Sequence, residues 1–166
     1  MKTILLTVVS LMASVSFAAQ TPDGEYALDK DHAHVVFSFS HLRFSNVIVR
    51  FNTFDGDFKF ESNGESSVVF TIDASSVDTN QSRRDDHIRS ADFFEVETYP
   101  SITFNASEFT YTEEGDPKTI TVAMNFHGQT NKVTFDVSNV GAGEFGGKSR
   151  AGYKATTKIN LVEAAQ

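Results

Sequence analysis

The feature that most restricts this chain is a period of two. Phe54, Gly56, Phe58 and Phe60 alternate with Asp55, Asp57, Lys59 and Glu61, as in a strand with one dry face and one wet face. The alternation returns in Val68, Phe70 and Ile72, in Ile102, Phe104 and Ala106, and in Ile120, Val122, Met124 and Phe126. Val133, Phe135 and Val137 repeat it, as do Tyr153, Ala155 and Ile159. Asn63-Gly64, Gly115-Asp116-Pro117 and residues 128–131 and 141–147 place turn residues between these runs at hairpin spacing. A single stretch reads as a helix: Ser82-Arg83-Arg84-Asp85 resembles a capping box and predicts a helix over 83–91, with Asp85 and Asp86 as charges in its first turn. Strands with one apolar face must bury it by closing a barrel or stacking two sheets. Sixteen Phe and no Trp load that face with bulk carrying no polar handle, which favours a barrel of about eight strands. Periodicity alone leaves two interiors open, a pocket or a filled core, and apolar stripes are more often core.

Lys2, the apolar run over residues 4–12 and Ser16-Phe17-Ala18 have the layout of a signal peptide cleaved after Ala18. Residues 1–18 are therefore expected to be removed, leaving 19–166 as one soluble, exported domain. With no Cys, neither disulfides nor a lipoprotein anchor are available, and the core alone must supply stability. A net charge of −8 opposes nucleic acid phosphates and anionic lipid surfaces unless basic residues gather on one face.

The polar residues make weak cases for chemistry. His32 and His34 share a strand parity that His41 does not, and no Cys or close His-Glu spacing completes a metal site. His127, before Gly128, reads as a turn residue. No Gly-x-Ser-x-Gly elbow and no phosphate loop are present. Adjacent Asp85 and Asp86 point about 100° apart on a helix, so they cannot act as an acid and base pair. Arg83, Arg84 and Arg89 read as a solvated helix face, with a phosphate or carboxylate site at a barrel mouth as the alternative.

Longer motifs then point to a family. Tyr26-x-Leu28-Asp29, His32-x-His34-Val35-x-Phe37, His41-Leu42 and Phe51-x-x-Phe54-x-Gly56-x-Phe58-x-Phe60 resemble the YceI family of periplasmic polyisoprenoid-binding proteins. The resemblance is stronger in Ile72-Asp73-x-x-Ser76-Val77-Asp78-Thr79, Arg84-Asp85-x-His87-Ile88-Arg89-Ser90-Ala91-Asp92-Phe93-Phe94 and Tyr99-Pro100-x-Ile102-Thr103-Phe104. It continues through Gly128-x-Thr130 and Gly152-Tyr153-x-Ala155. It implies an all-β, lipocalin-like antiparallel barrel with one short helix closing an end, holding an isoprenoid-type or other long-chain lipid and having no established catalytic residue. The implied location is the periplasm, with transient membrane contact and a homodimer as further expectations, no nucleic acid partner and no cofactor or metal. By strand parity, the tail is expected against Phe37, Phe39, Phe58, Phe60, Phe70, Ile72, Phe104, Met124, Phe126 and Phe135. Two alternatives stand beside this: a lipid-modifying or metal-assisted enzyme using His32, His34 and His41, and a structural or stress-response protein with a full interior. The chain departs from the family pattern at Arg50, where a Gly is usual. It also ends without the usual closing hairpin, so the barrel is expected to split between its first and last strands.

Overall fold

The computed structural model describes residues 20–62 and 64–160; the expected signal peptide lies outside them. In chain order the elements are β1 (Gly24–Ala27), β2 (Val35–His41), β3 (Ser45–Phe51), β4 (Phe54–Phe60), β5 (Ser67–Asp73), a 3-10 turn (Ala74–Ser76), β6 (Val77–Asp78), α1 (Ser82–Arg89), β7 (Ser101–Tyr111), β8 (Pro117–Phe126), β9 (Gln129–Phe145) and β10 (Lys148–Thr156). The strand pairs are antiparallel. One sheet has the order β1-β4-β5-β7-β8-β9-β10 and curls into a half-barrel, and a smaller one has the order β2-β3-β6. The fold is all-β and lipocalin-like.

Register turns the alternation into one inner face. Phe70 stands opposite Phe104, Phe104 opposite Met124, and Ile120 opposite Phe135. At one end this face is packed shut: Ile72, Ile102, Met124 and Phe126 bury against Val49 and Phe51 of β3, Val77, Ile88 of α1 and Phe94. Phe94 lies 6.1 Å from the Phe51 ring and meets Phe126 edge-on at 5.5 Å. The helical segment thus stoppers the half-barrel, as the motif implied.

Three local expectations need correction. The helix is capped by Gln81, not Ser82: the Gln81 side chain accepts from the Arg84 N–H, and Asp85 turns back to accept from both the N–H and the hydroxyl of Thr79 at 2.8 and 2.6 Å. Asp85 is in the first turn as expected, and being buried it also anchors the preceding loop. Second, residues 141–147 are not a loop. Strand β9 runs through them to Phe145, paired with β10, and only Gly146 and Gly147 turn, both with positive φ. Third, β9 already begins at Gln129, so the turn before it is His127-Gly128, again with positive φ at both residues.

Among the described residues, β1 and β10 share no ladder, as expected of a split seam, but side chains bridge it. Arg150 donates to Asp29 at 3.0 Å, and the Thr21 hydroxyl bonds the Tyr153 hydroxyl.

Candidate ligand-binding site

Beyond the packed end, the inner face carries a row of Phe rings drawn from four strands. Phe70 is 6.4 Å from Phe58 and 6.3 Å from Phe104, and Phe104 meets Phe135 edge-on at 6.0 Å. All four are half-buried. Gly56 makes room for them, because a Cβ there would stand 2.6 Å from Cδ2 of Phe70. The other positions chosen by parity divide. Ile72, Met124 and Phe126 are buried in the packed end, Phe60 is buried at the end of β4, and Phe37 stacks on Phe51 at 5.7 Å. Phe39 is 6.3 Å beyond Phe37, on the exposed stretch of β2.

At the other end of the face lies a polar group that parity did not single out. Asn139 donates to Asp116 at 3.0 Å, the Tyr153 hydroxyl donates to the same carboxylate oxygen at 3.4 Å, and Tyr153 also bonds buried Thr21. Partial burial, with Asp116 alongside, raises the Tyr153 phenol above its usual range. The local hints in the sequence are Asn139, which continues the parity of Val133, Phe135 and Val137 with a polar residue, and Tyr153, which belongs to the alternation itself.

Two open grooves lie beside the small sheet. One of about 610 Å³ is lined by Val36, Ile48, Arg50, Asp78 and Arg84, and one of about 420 Å³ by Lys30, His34, Val35 and Phe54 among others. The arginines near α1 are engaged. Arg84 donates to the Thr79 hydroxyl and carbonyl, and Arg89 to the Ser75 and Val77 carbonyls and to Asp86. They brace the loop ahead of the helix, a task the sequence reading did not assign, while Arg83 is exposed.

The histidines are not brought together. His32 bonds Asp29 at 3.1 Å, His34 and His41 are exposed, and His127 packs on Tyr99 with Nε2 3.4 Å from Glu95. Among the described residues no three of His, Asp and Glu are grouped to hold a metal ion. No helix among them is long and apolar enough to cross a membrane.

This arrangement has known counterparts. A UPF0312 protein of Vibrio cholerae is 36% identical, covering 96% of this chain and 86% of its own. One from Pectobacterium atrosepticum is 39% identical, covering 96% and 84%. Among solved structures, a mutant CJ YCEI protein superposes with a TM-score of 0.67 at 28% identity, over 84% of this chain and 82% of its own. A polyisoprenoid binding domain from Saccharophagus degradans shares the fold at a TM-score of 0.52 and 18% identity, over 70% and 68%. Residues 26–163 match the YceI-like domain, so the curled sheet, its helical stopper and the motifs around them have one origin: the chain belongs to the YceI-like family.

Proposed function

We propose that this protein is a non-catalytic periplasmic carrier that holds the apolar tail of an isoprenoid-type or similar long-chain lipid along the inner face of its half-barrel. The observation that carries the proposal is the half-buried row Phe58–Phe70–Phe104–Phe135. A folded chain gains about 1.5–3 kcal/mol for each such side chain it buries fully, and here four neighbouring rings stop short of that. A tail laid over them completes the burial. Each CH₂ removed from water contributes about 0.8 kcal/mol, but a bilayer offers nearly the same. Exchange between membrane and protein is then close to neutral, which suits reversible loading and release. The relative named as a polyisoprenoid binding domain is consistent with this ligand class.

The test is lipid extraction and native mass spectrometry of protein from its own host, with Phe58→Asp and Phe104→Asp beside the natural chain. The expected result is a stoichiometric long-chain lipid in the natural protein and loss of it in both variants, with circular dichroism showing the fold retained. A folded Phe58→Asp protein with undiminished lipid would refute the assignment of the row.

A further inference from the structure

The β2–β3 hairpin differs in charge and in surface from the rest of the molecule. The chain holds 22 acidic residues, yet none occurs between Asp31 and Asp55, where Arg43, Arg50 and three His stand. The tip of this hairpin is apolar and bare: Phe44 is 91% exposed and Leu42 71%, and on the outer face of β3 Ile48 is 68% exposed. Leu42 and Arg43 form the turn with φ of 52° and 64°, a conformation that bulky residues adopt at a cost. Among the described residues Arg43 and His41 have no ion-pair partner. Large apolar side chains beside the unpaired Arg43 cation, in a protein of net charge −8, complement one kind of surface, an apolar layer beneath a sheet of negative charge.

We infer that the Leu42–Phe44 tip docks into the headgroup region of an anionic phospholipid bilayer, with Leu42 and Phe44 entering the acyl boundary and Arg43 facing the phosphates. Docking there sets the protein at the source of its lipid. The purpose, though not the docking, rests on the carrier reading above. A second copy of the chain is the rival occupant, since β2 is an edge strand of the small sheet.

The absence of Trp permits a clean reporter. Phe44→Trp places a single indole at the tip, and Phe145→Trp places one on the other exposed hairpin, where Phe145 is 74% exposed. Each is mixed with vesicles of phosphatidylcholine containing one-third phosphatidylglycerol, and with phosphatidylcholine alone. The Phe44→Trp emission should shift to the blue and be quenched by brominated acyl chains on the anionic vesicles only, and Phe145→Trp should not respond. In flotation, the Leu42→Ser/Phe44→Ser double variant and Arg43→Glu should each bind at least tenfold less than the natural protein, and 0.5 M salt should weaken natural binding comparably. An indole that keeps its aqueous emission, or a double variant that floats like the natural protein, would overturn the inference. So would sedimentation showing a dimer that Phe44→Ser dissociates. Lipid extracted from the same samples separates the two readings: docking without carried lipid refutes the carrier alone, and carried lipid without docking refutes the tip alone.

Discussion

At the residue scale, two positions do more than the alternation asks of them. Asp85 reads in the sequence as a first-turn acid, but its carboxylate is buried and accepts twice from Thr79. Removing one partner of a buried, charge-assisted pair leaves the other unsatisfied, at a cost of about 2–3 kcal/mol. Asp85→Ala should therefore lower the melting temperature by about 5–10 °C for a domain of this size, measured by thermal circular dichroism. Gly56 falls on the inner parity of β4, where a larger apolar residue would satisfy the pattern equally well. A Cβ there would collide with Phe70. Gly56→Val should displace that ring and reduce the lipid recovered per protein by more than half, with β content retained. Nothing local to residue 56 announces the ring above it, because Phe70 reaches it only through the β4–β5 register.

At the element scale, β4, β5, β7, β8, β9 and β10 were legible from the period, while β1, β3, β6 and the strand ends were not. The Gly-rich stretch over residues 141–147 carries the composition of a loop, yet pairing with β10 holds it extended to Phe145. Ladder formation outweighs the weak intrinsic preference of Gly. The reverse holds at His127-Gly128, where the turn demands left-handed backbone at both residues. Gly128→Ala combines a φ of +77° with a Cβ 2.8 Å from Cε1 of Tyr99, and should destabilise the protein by about 1–2 kcal/mol. Chemical denaturation should show a lower midpoint with an unchanged slope.

For the molecule as a whole, the seam between β1 and β10 decides how firmly the half-barrel holds its shape. Its bridges are Asp29 with Arg150 and Thr21 with Tyr153. The hydrogen bond from His32, with the charges of His32 and Arg150 helping, holds the Asp29 carboxyl below its usual 3.8. Its contribution is thus present above that ordinary value and disappears as the pH falls through the lowered one. Tyr153 runs the other way: its phenol is raised, mainly by desolvation, so the neutral hydroxyl's contribution is intact below about 10 and disappears as the pH rises through the raised value. Amide exchange at residues 25–29 and 150–156, corrected for intrinsic rates, should accelerate at both extremes while residues 54–60 stay protected. Arg150→Ala should show the faster exchange already at pH 7.

The sequence by itself determined the class of fold, the place of the single helix and the family, because alternation, turn chemistry and contiguous motifs are written within a few residues of one another. It also determined which side chains share a face of each strand, since parity is a local property of a strand. Only the tertiary structure decided how the inward residues divide between the packed end at Met124 and Phe126 and the half-buried row at Phe58, Phe70, Phe104 and Phe135. That division depends on where α1 and Phe94 come to rest. The polar group at the far end joins Thr21 to Tyr153 across 132 positions of chain, and the arginines of the helix find carbonyls up to 14 positions away. Such contacts follow from how the sheet curls and which strands become its edges, and curvature summed over seven strands has no signature in any one of them.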